Sequence, residues 1–287
     1  MTMQPSDVAV TVRRIPAPHH TVPVRIFRPS TARSGWLVWA HGGSWVSGSA
    51  AAWHAPCLDL ARRAGVTLVS VDYRLAPAHP YPVPLEDVLA VLVWAAQQPE
   101  LQADPRLLAV GGDSAGATLA ASSALAFRDQ GRLLGGQVLA YPPLDPQCRA
   151  PSYTWLPHQF PNRDSLMAAW RAYAGPGQPS GRAQPYLSPL QAKKLDGVAP
   201  AILGVGGFDP VRDDVRRYAA RLRLAGVPVQ LREFAGEGHA LFMAPSTAFR
   251  RWLAASVRQQ FDEYVNSPMT LPSDARRKPR GARCPQP

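Results

Sequence analysis

The chain has 287 residues, 46% of them hydrophobic and 18% charged, which is enough to bury one large core. Its longest apolar stretch, residues 88–96, is far short of a membrane span, and residues 1–7 lack the basic-then-apolar pattern of a signal peptide. A net charge of +11 raises nucleic-acid binding, but the excess lies in the final segment (Arg276, Arg277, Lys278, Arg280, Arg283) and in scattered arginines on amphipathic stretches, so the expectation is a cytoplasmic protein with no membrane insertion and no nucleic-acid partner.

Two alternating segments come first, at residues 8–15 and 22–27, and read as an antiparallel hairpin. Residues 36–40 form an almost wholly apolar run, the pattern of a parallel strand buried on both faces. A loop at 41–49 and a helix near 56–64 follow. The next strand is expected at 66–71, then a helix at 84–98 with proline in its first turn. Residues 107–110 read as a strand that runs directly into a Gly-rich turn and a small-residue helix at 115–128. Residues 137–141 resume the sheet.

The rhythm then breaks. Residues 142–200 are crowded with prolines, glycines and aromatics, and only 163–173 has firm helical periodicity, so this insertion reads as a lid. Strand and helix return at 201–205 and 211–225, then at 229–234 and 246–265. Alternation of this kind is the signature of a mostly parallel sheet with helices on both faces. The expectation is a single α/β domain over residues 1–266, with a basic, Pro-rich and disordered tail at 267–287.

Cys57, Cys148 and Cys284 are widely spaced and odd in number, and the seven histidines form no HExxH pattern, so neither a disulfide framework nor a metal site is expected. Cys57 reads as an inert buried thiol.

The strongest chemical signal is Gly112-Asp113-Ser114-Ala115-Gly116, a GxSxG set between an apolar strand and a helix. A serine hydroxyl becomes a nucleophile only when it is held exposed beside a base. A sharp strand-to-helix turn supplies the exposure, and the free amides of the helix N-terminus favour developing negative charge. The second signal is His41-Gly42-Gly43-Ser44-Trp45, directly after the strand at 36–40. Side-chain-free glycines let backbone amides approach an oxyanion, so the donors are expected from Gly42, Gly43 and Ala115, with His41 holding the loop in shape.

The base must come from further along. His239 lies in Gly236-Glu237-Gly238-His239-Ala240, a glycine-rich loop just past the strand at 229–234. The orienting acid should sit past the preceding strand, where Gly206-Gly207-Phe208-Asp209-Pro210 stands. The order Ser114, Asp209, His239 is that of the α/β-hydrolases. Asp213 and Asp214 compete for the role, but they fall in the first turn of the following helix, where acidic residues are expected for dipole reasons alone.

With these motifs in place, the chain resembles the hormone-sensitive-lipase-like bacterial esterases, the family with an HGGG oxyanion motif and a GDSAG elbow. The likeness is carried by His41-Gly42-Gly43, Asp72-Tyr73-Arg74-Leu75-Ala76-Pro77, Gly112 to Gly116, Asp209-Pro210-Val211-Arg212-Asp213 and His239. It implies an α/β-hydrolase fold with a central, mostly parallel sheet of eight strands, a small-molecule ester with a short or medium acyl group as substrate, no cofactor, and a homodimer as the assembly to test. The chain departs from the family in Ser44, which replaces the last glycine of HGGG, and in Ala78, where the family carries glutamate. The strand-like opening of the chain also differs from the family's N-terminal helical cap.

Asp72, Tyr73 and Arg74 read as braces for the loops around the site. Tyr153, Trp155, Phe160, Trp170 and Tyr173 are candidates to line the pocket or to form the lid's own core. The rival functions are an amidase resembling arylformamidases, with the same triad, and a non-catalytic ligand receptor on this fold. Receptors of that kind lose the triad histidine, which is present here as His239.

Overall fold

A computed structural model describes residues 7–32, 35–156, 158–176, 184–244 and 248–267. The segment expected to form the basic tail, apart from Ser267, lies outside the described residues, as do Cys284, Pro157 and positions 177–183 of the expected lid.

The elements follow in chain order as β1 (Val8–Ala17), β2 (His20–Pro29), β3 (Trp36–Ala40), α1 (His54–Ala64), β4 (Thr67–Val71), α2 (Val83–Ala96), α3 (Pro99–Ala103), β5 (Leu108–Asp113), α4 (Ala115–Asp129) and β6 (Gly136–Ala140). They continue with α5 (Ser152–Trp155), α6 (Arg163–Ala174), β7 (Ala201–Gly206), α7 (Arg212–Leu224), β8 (Val229–Phe234) and α8 (Ala248–Asn266). The strands form one eight-stranded sheet in the order β1-β2-β4-β3-β5-β6-β7-β8. β1 pairs antiparallel with β2 and β2 antiparallel with β4, and every other pairing is parallel.

The physical reason for the burial is plain in the strands themselves. β3, β4, β5, β6 and β7 are buried at every position, as strands covered by helices on both faces must be. β8, at one edge, alternates and carries Arg232 and Glu233 outward, and charge on an edge discourages unwanted pairing. α4 lies deep, with the side chains of Ala115 to Phe127 buried. Its Ala, Gly and Ser residues let the helix approach the sheet closely, at little cost in side-chain entropy.

The sheet differs from the sequence expectation in one functionally telling place. β5 runs three residues beyond the expected end, through Gly111, Gly112 and Asp113, because those residues pair with β6 (Gly111 opposite Val138, Asp113 opposite Ala140). Segment 142–200 sits between β6 and β7 and contains α5 and α6, two short helices that the prolines around them separate. Among the described residues, no helix is long and apolar enough to cross a membrane, and no group of three His, Cys, Asp or Glu side chains is placed to hold a metal ion.

Candidate active site

Ser114 stands in the one-residue gap between β5 and α4, with φ 51° and ψ −121°. A side chain rarely takes that backbone conformation, and it is the sharp turn that lifts the hydroxyl off the end of the sheet. The turn is possible because Gly116 has no side chain: a Cβ there would lie 2.1 Å from the Ala40 carbonyl oxygen. The elbow is thus pressed against the end of β3, from which the loop at 41–49 departs.

His239 arrives from the loop after β8. Its Nε2 lies 2.9 Å from the Ser114 Oγ, and its Nδ1 lies 2.8 Å from Asp209 Oδ2. The Asp209 carboxylate can only accept, so Nδ1 keeps its hydrogen and donates it in a hydrogen bond to Asp209, which leaves the Nε2 lone pair facing the serine hydroxyl. Asp209 is fully buried, and its second oxygen accepts the Val211 amide at 3.0 Å. The loops bearing the acid and the histidine are brought together by Gly206, whose Cβ would fall 2.3 Å from the Gly238 carbonyl oxygen. The Phe208 amide, donating to the Glu237 carbonyl at 2.8 Å, fastens them.

The far side of the histidine loop is pinned as well. The Phe242 amide donates to the Tyr141 hydroxyl at 2.9 Å, and Arg250 donates to the Phe242 and Ala244 carbonyls. Tyr141 meets the His239 ring edge-on at 4.7 Å between centroids. These two supports have no motif in the sequence to announce them.

The loop after β3 is organised from beneath. His41 is fully buried, with Nδ1 2.7 Å from the Gly42 carbonyl oxygen and its ring stacked on Tyr73 at 4.3 Å. Burial lowers its pKa, keeping it neutral. The Tyr73 hydroxyl donates to the His41 carbonyl at 2.8 Å, and Asp72 accepts the Ala50 amide at 2.9 Å. Arg74 forms a forked pair with buried Asp87, which also meets His20 at 2.7 Å. The Asp72, Tyr73 and Arg74 side chains therefore brace loops, as expected.

Asp113 is a bracing residue that sequence reasoning passed over. Its buried carboxylate accepts the indole N–H groups of Trp53 at 2.9 Å and Trp39 at 3.2 Å on one oxygen. The other oxygen lies 2.6 Å from the position a Gly42 Cβ would take. The Gly42 backbone beside this carboxylate favours its anion. Gly42, expected with Gly43 and Ala115 as an oxyanion donor, is thereby held against the end of β5. The available signal was an acid at the end of an otherwise apolar strand.

Asp214 corrects another reading. It is no surface dipole residue: it is fully buried and accepts the Leu144 and Asp145 amides and the Tyr153 hydroxyl, at 2.8 to 2.9 Å. Asp213 accepts the Ser152 amide at 3.0 Å. Together they tie the start of segment 142–200 to α7. Of the aromatics in that segment, Trp170 and Tyr173 are buried against Trp45 at 4.3 and 4.7 Å, while Trp155 and Phe160 are exposed. Phe160 reaches His239, its ring centroid 5.7 Å away. Cys57 is fully buried, and burial pushes its thiol pKa up, away from reactivity.

Comparison with known proteins agrees with this geometry. The chain is 39% identical over 233 residues to carboxylic ester hydrolase LipN of Mycobacterium tuberculosis, a match covering 78% of this chain and 62% of LipN, so it spans under two thirds of that relative. It is 36% identical to an ethyl acetate hydrolase of Pseudomonas putida, over 82% of this chain and 74% of that protein. Among solved structures, a bacterial heroin esterase superposes with a TM-score of 0.82 at 30% identity, covering 89% of this chain and 85% of that one. The thermophilic carboxylesterase EstE1, from a metagenomic library, does so with 0.82 at 31%, covering 90% and 91%. Residues 37–243, which run from β3 past His239, match the family described as the alpha/beta hydrolase fold, and it is to this family, among its hormone-sensitive-lipase-like esterases, that the chain belongs.

Proposed function

We propose that the protein is a serine carboxylesterase acting on small-molecule esters with short or medium acyl groups, with Ser114, His239 and Asp209 as its catalytic triad. The observation that carries the reading is the unbroken hydrogen-bonded line from Ser114 Oγ through the His239 ring to Asp209.

In the first half-reaction His239 Nε2 takes the Ser114 proton as Oγ attacks the ester carbonyl. Asp209, fully buried, holds the imidazole in the required tautomer and stabilises the imidazolium. The amides of Gly42, Gly43 and Ala115 hold the oxyanion, and the Asp113 carboxylate packed against Gly42 keeps that loop in place. The ester C–O bond breaks, the alcohol oxygen takes the proton from Nε2, and an acyl-Ser114 remains. Water then repeats the same steps to release the acid. The scheme uses only this chain's side chains and amides, together with water.

The test is hydrolysis of p-nitrophenyl acetate by the purified protein, with Ser114 as the residue labelled by a fluorophosphonate probe. Turnover without labelling at Ser114 would overturn the assignment. A matched anilide, turned over no faster than about a hundredth as well as the ester, would set the amidase reading aside.

A further inference from the structure

Phe160 is 67% exposed, an unusual position for a large apolar ring, and yet its ring lies edge-on to that of His239. The loop carrying it rests on the histidine loop, with Gln159 Oε1 3.7 Å from the Cβ position of Gly238. Two aromatic rings meet His239 among the described residues. Tyr141 is buried, and its hydroxyl is already engaged by the Phe242 amide. Phe160 alone offers open apolar surface beside the imidazole, whose own side chain is only 3% exposed.

The chemistry of ester cleavage says what that surface would meet. When the tetrahedral intermediate collapses, the C–O bond to the alcohol breaks and the departing oxygen takes the Nε2 proton, while the acyl group stays on Ser114 Oγ. The alcohol oxygen must therefore come within hydrogen-bond reach of Nε2, roughly 3 Å. The first carbons attached to it then lie beside the imidazole, within reach of Phe160. An acyl chain, bonded to the carbonyl carbon on Ser114, leads away from Nε2.

We infer that Phe160 is a specificity-determining residue for the alcohol side of the ester, a wall on which a planar aryl or benzyl group stacks. The inference rests on the esterase reading above and deepens it by naming the class of alcohol. Offset or edge-to-face contact between two rings adds to simple burial, so an aromatic alcohol gains more from this wall than an aliphatic one.

The experiment compares kcat/KM for benzyl acetate, ethyl acetate and ethyl hexanoate in the wild type, Phe160→Ala and Phe160→Leu. Benzyl alcohol and ethanol are alcohols of similar acidity, so leaving-group chemistry is nearly matched between the first two substrates. Phe160→Ala is expected to lose about tenfold on benzyl acetate and no more than about threefold on the two ethyl esters. Phe160→Leu should fall between, since it restores apolar surface without a ring. Equal losses on all three substrates would show that the ring only shields His239, and would overturn the inference. A loss confined to ethyl hexanoate would place Phe160 on the acyl side and overturn it as well. If the wild type hydrolyses none of the three, the esterase reading itself fails, and this inference with it.

Discussion

Ser114 Oγ and His239 Nε2 lie 2.9 Å apart although 125 residues separate them in the chain. The elbow after β5 presents one, the loop after β8 presents the other, and neither functions alone. Replacing Ser114 with alanine removes the atom that forms the acyl-enzyme while leaving the elbow's backbone intact. Loss of the nucleophile from a triad of this kind costs on the order of a millionfold in kcat. Ser114→Ala should therefore abolish both fluorophosphonate labelling and ester turnover at an unchanged melting temperature. Turnover near that of wild type would sink the triad assignment.

The two acids of this region should separate by phenotype. Asp209→Asn leaves the imidazole in the wrong tautomer and without its countercharge, so kcat should fall by roughly four orders of magnitude with little change in stability. Asp214→Asn instead disturbs a buried carboxylate that holds two amides and the Tyr153 hydroxyl. Its cost should appear as a lower unfolding midpoint, of about 1–3 kcal/mol, with kcat within a few fold of wild type. Paired urea melts and rate measurements decide the matter, and a reversed pattern would move the triad acid into α7.

Asp113 predicts a pH dependence of stability. Burial raises its carboxyl from 3.8 to about 7, against the indoles of Trp53 and Trp39 and the Gly42 backbone, all of which favour the anion. Between those two values the folded protein keeps a proton that the unfolded chain has released. Stability contributed by this group therefore falls as pH rises through that window, and is level on either side. The full effect is on the order of 4 kcal/mol. Asp113→Asn cannot titrate, so the wild-type urea midpoint should fall relative to that of the variant between about pH 5 and about pH 8. Parallel curves would show that Asp113 ionises as an ordinary carboxylate.

Much of this architecture is legible in the sequence, and the exceptions share a cause. β3 and β8 lie close to where the sequence expects strands, and Ser114, Asp209 and His239, which follow β5, β7 and β8, come together at one hydrogen-bonded line. What local pattern misses is set by distant neighbours. Gly111 and Gly112 look like turn residues, yet β6 beside them makes them strand. Asp214 looks like a helix-dipole residue until the Leu144 and Asp145 amides, about seventy positions earlier, are seen to need an acceptor. Asp113 looks like the spare position of the elbow motif until the Trp39 and Trp53 indoles, sixty or more positions earlier, are found to donate to it. Motifs record which residue types a site needs, whereas hydrogen-bond commitments belong to the folded state.

Gly116 shows how little room the elbow has. A Cβ at this position would lie 2.1 Å from the Ala40 carbonyl oxygen and 2.4 Å from that of His41, both backbone atoms that cannot rotate aside. Gly116→Ala must push α4 away from β3 and with it Ser114 from His239. It is expected to lower the melting temperature by several degrees and to cost at least about a hundredfold in kcat, because small misplacements of reacting groups are expensive. A variant with wild-type rate and stability would show that the elbow is looser than this packing implies.

Acyl length tests how far the space beneath α6 extends. α6 does not span an open channel there: Trp170 and Tyr173 pack on Trp45, which follows the oxyanion loop, at 4.3 and 4.7 Å between ring centroids. All three rings are buried, so a long acyl chain that runs beneath α6 would meet packed side chains. Each methylene that finds cover contributes roughly 0.8 kcal/mol to transition-state binding, and each one left in water contributes nothing. On p-nitrophenyl esters kcat/KM should therefore rise over the first few carbons, peak between acetyl and hexanoyl, and fall for longer chains. Removing the barrier supplies the control. Trp170→Ala opens a cavity next to Trp45 and should shift the optimum toward octanoyl or decanoyl, at a stability cost of about 3–5 kcal/mol. A wild-type optimum at dodecanoyl or beyond, with activation at an oil–water interface, would show that acyl chains run past this aromatic cluster and that the enzyme is a lipase.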